Sequence, residues 1–308
     1  MYHAFTDSFQ LDDLWHRTGS RRAVELPPDF AGELHEICWS QDGSVIFATA
    51  SLRGRSRLFR IDVSGGTPPA ELAVPHGNSA LLVVPAPSVT TPPTSQRLLF
   101  LQASFHSPAE LHTCQGSGEH HAKLSAANDG RLAAIQPGPP PTELFCPGFL
   151  GEEVQSWLFQ PLGFDASQVV AECQSKYPMV VIVHGGPQGS IQDGWSYRWN
   201  PAVYAAAGYV VLCVNFHGST GWGAKFREAV SKDWAGAPFE DVIKATDHAL
   251  ASLPHVDRQR VGALGASFGG YMMNLINGRN QCGRYRCLVN HDGIFDCSNV
   301  YYTTEEVS

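Results

Sequence analysis

A serine flanked by small residues, Gly-Ala-Ser-Phe-Gly-Gly at positions 265–270, is the feature of this sequence with the clearest chemistry. A serine hydroxyl becomes a useful nucleophile when a sharp turn between a strand and a helix holds it exposed beside a base. The apolar run Arg260–Leu264 precedes this serine, and a helical pattern continues through Tyr271. That context favours a nucleophile elbow over a glycine-rich structural turn. It predicts Ser267 as a catalytic nucleophile with a strained backbone.

A second glycine pair lies about eighty residues earlier, directly after the apolar run Met179–Val183. Hydrolases with such an elbow stabilise the oxyanion with the N–H of the residue after the nucleophile and with an N–H from the loop after an earlier strand. A tight turn that only needs flexible residues is the alternative, but the pairing with the elbow favours an oxyanion loop. We expect this loop at the same end of the sheet as Ser267. The predicted oxyanion hole consists of Phe268, His184, Gly185 and Gly186.

The acid and the base that would complete a triad are not assigned by the sequence. In hydrolases with such an elbow, the catalytic residues follow one another along the chain in the order serine, acid, histidine. Few residues of this sequence follow Ser267. Three residues shortly after Ser267 could complete a triad locally: His291, Asp292 and Asp296. Adjacent side chains after a strand point in divergent directions, so we expect these residues to be structural. Residues 1–308 are therefore expected to be a truncated catalytic unit with feeble activity.

Two further groups of side chains are candidate sites. His112, Cys114, His120 and His121 have a spacing that fits no closed metal site, so we expect a polar loop, no metal and no cofactor. Aromatic side chains between the two motifs either pack in the core or line an apolar substrate pocket. The candidates for such a pocket are Trp195, Tyr197 and Trp222.

Composition narrows the function classes. The chain has 308 residues, of which 43% are hydrophobic and 16% charged, as in globular proteins of one or two domains. A net charge of -8 without a Lys/Arg block argues against nucleic acid as a partner. No apolar run approaches the roughly 18 residues that span a bilayer, so no membrane partner is expected.

The N-terminus and the cysteines bear on the compartment. Residues 1–10 lack the basic and apolar regions of a signal peptide, and the eight cysteines include no CxxC pair. These features favour a cytoplasmic over a secreted protein, with a missing true N-terminus as the alternative.

The pattern of the chain changes near residue 150. Before it, short strand-like runs such as the hairpin around Asp42-Gly43 alternate with turns, which predicts a sandwich, a barrel or a propeller. After it, apolar runs alternate with helical segments such as Phe239–Leu253, which predicts a parallel sheet covered on both faces. The predicted domains are residues 1–150, all-β, and residues 151–308, a doubly wound and mostly parallel α/β sheet.

Four stretches carry a resemblance to a known family: His184–Gln188, Asn215–Gly223, Asp233–Asp241, and the elbow with Tyr271-Met272. They resemble the prolyl oligopeptidase family of serine peptidases (S9), in its acylaminoacyl-peptidase and dipeptidyl-peptidase 5 branch. The resemblance is dense from Val154 to Ser308. It implies an α/β-hydrolase domain, truncated here, preceded by the last blades of a seven-bladed β-propeller. His217 departs from the family, which usually has Arg at this position.

The resemblance implies a peptidase for short peptides, releasing dipeptides or acylamino acids. An elbow and an oxyanion loop serve esters equally well, so a carboxylesterase or lipase is one alternative. An inactive fragment that acts only as an interaction module is the other. Self-association into a homo-oligomer stays open.

Overall fold

A computed structural model describes residues 8–9, 24–27, 30–65, 67–75, 77–84, 88, 90–168, 176–279 and 283–303. The chain divides into two compact units. The first runs up to Gly130 and includes the short segment Gln192–Gly194. The second comprises Arg131–Ile191 and the chain from Trp195 to Val307.

The first unit consists of short antiparallel strands. It contains a two-stranded pair, β1 with β2, and two four-stranded sheets. One of these sheets contains β3 to β6 and the other β7 to β10, each in chain order. The elements are β1 Ser8–Phe9, β2 Val24–Glu25, β3 Glu33–Trp39, β4 Val45–Leu52, β5 Arg55–Asp62, β6 Ala70–Glu71, β7 Asn78–Val83, β8 Arg97–Ser104, β9 Ser107–Gln115, β10 Ala122–Lys123, a 3-10 turn at Pro93–Ser95 and a one-turn helix, α1, at Asp129–Leu132.

The hairpin between β3 and β4 shows why these segments form strands. Asp42 turns the chain by accepting hydrogen bonds from the Ser40 hydroxyl at 2.7 Å and the Ser44 N–H at 3.1 Å. Gly43 follows with φ +73°, a conformation that favours glycine, so the predicted hairpin is confirmed. Buried side chains of both four-stranded sheets, including Phe47 and Phe100, join in one apolar cluster.

The second unit is a six-stranded mixed sheet with helices. Its strand order is β11-β12-β14-β13-β15-β16. The four strands β14, β13, β15 and β16 are parallel, while β12 runs antiparallel to both of its neighbours, β11 and β14. The elements are β11 Thr142–Pro147, β12 Glu153–Phe159, β13 Tyr177–Val183, β14 Val210–Asn215, β15 Val256–Ala266, β16 Cys287–His291, α2 Pro201–Ala206, α3 Ala224–Glu228, α4 Ala237–Ser252, α5 Phe268–Gly278, α6 Cys297–Thr303 and 3-10 turns at Phe149–Gly151 and Ala166–Gln168.

The second unit begins at Arg131, whereas the sequence pattern changes near residue 150. Strand β11 precedes residue 150, yet it pairs with β12 over six residues and so belongs to the mixed sheet. With six residues, β11 is as short as strands of the first unit. Only its pairing partner shows to which unit it belongs.

The core of the second unit lies between the sheet and helices α4 and α5. Val242, Ala245 and Ala249 follow the helical spacing along α4 and are buried in the same cluster as Met272 and other residues of α5. The opposing strand residues, such as Val181 in β13, are fully buried. This packing fixes the start of α5 at the carboxyl ends of the central parallel strands. None of the helices that the structure describes is long and apolar enough to cross a membrane.

Candidate active site

Ser267 lies at the turn between β15 and α5, as predicted. Its backbone has φ +55° and ψ −119°, which a residue with a side chain rarely adopts. Two hydrogen bonds hold this geometry: the Ser267 N–H donates to the carbonyl oxygen of His291 at 3.1 Å, and the Ser267 carbonyl accepts from the Tyr271 N–H at 2.9 Å. The residue is exposed although its neighbours on both sides are more buried. The turn therefore presents the hydroxyl to solvent.

The glycines around Ser267 are required by close approach of backbone to backbone. A Cβ on Gly265 would lie 2.4 Å from the backbone of Gly269. A Cβ on Gly269 would lie 2.1 Å from the carbonyl oxygen of Val183 in β13. Contacts below 3 Å are essentially never seen for a real Cβ. The elbow can hold its shape only with glycine at both positions.

The loop after β13 lies at the same end of the sheet as Ser267. Strands β13 and β15 are parallel, with Val183 opposite Gly265, so the chain leaves both strands at the same edge. A Cβ built on Gly185 would be 3.8 Å from the hydroxyl oxygen of Ser267. The predicted juxtaposition of the two motifs is present in the structure.

Phe268, the second predicted source of an oxyanion N–H, directly follows Ser267 in the chain. Phe268 is the first residue of α5, and the N–H groups of the first helical turn have no partner inside the helix. Its ring is buried and packs against Trp234 and Phe216 at centroid distances of 5.2 Å and 5.4 Å. This packing anchors the first turn of the helix next to Ser267.

His184 is fixed as a neutral ring that supports the loop. Its Nδ1 donates to the carbonyl oxygen of Gly185 at 2.7 Å, so its Nε2 accepts from the hydroxyl of Ser219 at 2.9 Å. The ring stacks on Phe216 at 4.2 Å. Burial lowers the pKa of His184 to about 4 and outweighs the hydrogen bond to Gly185, which raises it. At neutral pH the ring therefore carries no charge.

This pKa predicts an acid-side loss of stability. The unfolded chain binds the His184 proton near pH 6.5 and the folded chain only near pH 4, so the stabilisation is complete above pH 6.5 and is lost as the pH falls between these values. We expect His184→Gln to lose less unfolding free energy than the wild type between pH 7 and pH 4.5, measured by urea titration. Equal losses in both proteins would contradict this assignment.

Sequence reasoning missed the residues that anchor the His184 loop. The Asn215 amide accepts from the Ile191 N–H at 2.8 Å and donates to the Ile191 carbonyl at 3.1 Å and to Gln155 at 2.7 Å. Thr220 adds a backbone hydrogen bond to Gly189 at 2.9 Å. Asn215 and Thr220 belong to the glycine-rich stretch that carried the family resemblance. The sequence identified that stretch but did not indicate its partners.

The local triad candidates are not assembled into a triad. His291 lies beside Ser267 through its backbone, but its ring packs edge-on against Trp199 at 5.1 Å and faces Arg198 at 3.5 Å. The Asp296 carboxylate accepts from backbone N–H groups of Ser298 and Asn299. Within the described residues, the Ser267 hydroxyl has no hydrogen bond. The part of the chain that the structure describes thus holds no base on Ser267.

The three pocket candidates do not come together in one cluster. Trp195 and Tyr197 contact each other at a centroid distance of 5.8 Å, and Tyr197 is 84% exposed. Trp222 packs against Phe226 and the core of the mixed sheet instead. A role for them in a substrate pocket stays a prediction.

His112 and His121 share a hydrogen bond of 3.0 Å, and no group of three or more metal-ligating side chains occurs among the described residues.

A strained serine between a parallel strand and a helix, with a glycine loop from the adjacent strand beside it, is the arrangement of α/β-type serine hydrolases. Comparison with known families agrees with this class. Residues 195–308 match the prolyl oligopeptidase family of peptidases. The matched segment contains Ser267.

Curated relatives are dipeptidyl-peptidases. The chain is 40% identical over 193 residues, 61% of its length, to dipeptidyl-peptidase 5 of Schizosaccharomyces pombe. It is 34% identical over 288 residues, 93% of its length, to a probable dipeptidyl-peptidase 5 of Arthroderma benhamiae. The matches cover 27% and 38% of these relatives, so the chain spans well under half of their length.

Solved structures show the same fold. An acylaminoacyl peptidase in complex with Z-Gly-Gly-Phe-chloromethyl ketone superposes with a TM-score of 0.74 at 20% identity, covering 92% of this chain and 41% of that one. A Mycobacterium tuberculosis puromycin-hydrolyzing peptidase gives a TM-score of 0.70 at 21% identity, covering 93% and 42%.

Proposed function

We propose that Ser267 is the nucleophile of a serine peptidase that acts on short peptides and releases dipeptides or acylamino acids. The observation that carries this proposal is the geometry of Ser267. An exposed hydroxyl on a strained turn, with Gly185 on one side and the start of α5 on the other, is what an acyl-transfer nucleophile needs. The names of the curated relatives support peptides as substrates.

In the proposed reaction, the Ser267 oxygen attacks the peptide carbonyl and its proton passes to a base. The carbonyl oxygen becomes an oxyanion, which the Phe268 N–H and the His184–Gly186 loop stabilise. Collapse expels the amine, which takes the proton, and leaves an acyl-enzyme that water hydrolyses. The acid and the base of the triad are not assigned to residues of the described part of the chain.

We further propose that the first unit is part of a β-propeller and the second part of an α/β-hydrolase domain. Two four-stranded antiparallel sheets in chain order have the size and topology of propeller blades.

Peptide and ester substrates separate this proposal from a carboxylesterase. In the longest natural form of the chain, we expect turnover of dipeptidyl or acetyl-aminoacyl p-nitroanilides, both of which require amide cleavage. Ester cleavage without any amide cleavage would favour the carboxylesterase. Cleavage of neither, with the protein folded, would favour an interaction module.

A further inference from the structure

A cluster of charged side chains surrounds two buried residues, His217 and Asp241, at a position where the sequence departs from the family it resembles. His217 follows β14, and its side chain is 2% exposed. Its Nδ1 lies 2.6 Å from Oδ2 of Asp241 in α4, and its Nε2 lies 3.2 Å from Oε2 of Glu152. Glu152 also forms an ion pair with Lys225. Both ring nitrogens therefore face carboxylate oxygens.

The hydrogen bonds determine where the protons are. Both oxygens of Asp241 accept N–H groups, Oδ1 from Phe149 at 2.7 Å and Oδ2 from the backbone of His217 at 2.6 Å, so this carboxylate is ionised. Glu152 accepts a hydrogen bond from the Lys225 ammonium group, which lowers the pKa of Glu152 and favours its ionised form. A carboxylate only accepts hydrogen bonds, so each ring nitrogen must donate one. The ring that satisfies both contacts is the imidazolium cation.

The cluster is connected to the loop beside Ser267. Phe216, the residue before His217, stacks on the ring of His184 at 4.2 Å and packs against Phe268. The Phe216 carbonyl also accepts from the N–H of Ser219, whose hydroxyl bonds to His184. His217 is thus linked through Phe216 to the side chains that support the loop.

We propose that His217 is a positively charged positioning residue, held between Asp241 and Glu152, that keeps the His184 loop in place beside Ser267. The role of the His184 loop as an oxyanion loop rests on the proposed function. The charged state of His217 does not depend on that function. Deprotonation would leave Nε2 facing the Glu152 carboxylate without a proton and would weaken the cluster.

The surrounding charges favour the protonated ring. Burial lowers the pKa of His217, but the hydrogen bond and charge of Asp241, and then those of Glu152, outweigh it and raise the pKa above 6.5. The Lys225 and His217 hydrogen bonds lower the pKa of Glu152. Of the other titratable groups on the packed elements, Lys244 binds Glu240 and the Gly148 carbonyl, and the buried thiol of Cys146 has a raised pKa.

The sign of the pH effect follows from the raised pKa. Protonation stabilises the folded chain fully below about pH 6.5, the ordinary histidine value, and this stabilisation is lost as the pH rises through the higher folded pKa. A neutral-to-alkaline change is therefore the condition that loosens the loop.

Nitrogen-15 NMR of the histidine rings in the 308-residue chain tests the charged state. We expect protons on both His217 nitrogens at pH 7, a midpoint above the ordinary histidine range, and His184 ring signals that shift with the same midpoint. A single-proton tautomer at pH 7 would overturn the proposal. His184 signals that ignore the His217 titration would overturn the positioning role, even if Ser267 proves unreactive.

Stability and labelling with a fluorophosphonate give a second readout. As the pH rises through the His217 midpoint, we expect Tm to fall by at least about 2 °C and Ser267 labelling to slow relative to His217→Arg, which keeps its charge. His217→Gln should show the low values at every pH, and His248→Gln in α4, the helix that contains Asp241, should match the wild type. Identical pH profiles for wild type and His217→Arg would overturn the proposal. Labelling absent at every pH, with the NMR and Tm results as expected, would instead refute the proposed function alone.

Discussion

Replacing Gly269 with alanine is expected to destabilise the second unit severely. The added Cβ would sit 2.1 Å from the Val183 carbonyl oxygen, and this contact joins the start of α5 to the central strand β13. Both partners are backbone, so no side chain can rotate away. Overpacking of a core typically costs 1–3 kcal/mol, and a clash of two backbones should exceed about 3 kcal/mol. Urea titration followed by tryptophan fluorescence measures this loss.

Gly278→Ala is the matched control for this prediction. Gly278 is the last residue of the same helix, and a Cβ there would meet nothing within 4 Å. Alanine in place of a helical glycine should stabilise by about 0.5–1 kcal/mol. If Gly269→Ala and Gly278→Ala have the same unfolding free energy, the close approach between α5 and β13 does not exist.

Replacing Ser267 with alanine is expected to abolish chemistry while leaving the fold intact. Removal of a catalytic serine costs on the order of a million-fold in turnover, because only binding and oxyanion effects remain. Ser267 is exposed and its hydroxyl has no hydrogen bond within the described residues, so the unfolding free energy should change by no more than about 0.5 kcal/mol. Turnover of a peptide p-nitroanilide by the longest natural form, together with urea titration, measures both.

Ser252→Ala controls for the loss of a serine hydroxyl. Ser252 ends α4, away from the elbow, and its hydroxyl donates to the carbonyl of His248 in the preceding turn. This variant should keep full turnover. Substantial turnover in Ser267→Ala would require another nucleophile and would contradict the role of the elbow.

The sequence predicted the elbow well because the constraint there is local. Ser267 and its glycines occupy six consecutive residues, and their strain and close approach follow from the turn between strand and helix. The place of the His184 loop could also be predicted, since parallel strands bring their carboxyl ends to one edge. Periodicity predicted α4 to within two residues at its start, Ala237.

The features that the sequence did not predict depend on contacts between residues far apart in the chain. Strand β11 carries no local sign that it joins the mixed sheet, so the sequence pattern alone does not show where the second unit begins. His217 was recognised as a departure from the family, but its partners Asp241 and Glu152 lie 24 and 65 residues away in the chain. A sequence pattern shows the type of residue at such a position. The contacts that fix its protonation appear only in the fold.

Covalent labelling by a fluorophosphonate, followed by peptide mass mapping, tests the role of Ser267 most directly. In the 308-residue chain we predict slow modification, because no base contacts the hydroxyl within the described residues, with the adduct on Ser267 and none in Ser267→Ala. Ser252→Ala should be labelled like the wild type. An adduct on another serine with Ser267 unmodified, or equal labelling of the wild type and Ser267→Ala, would contradict the assignment of Ser267 as the nucleophile.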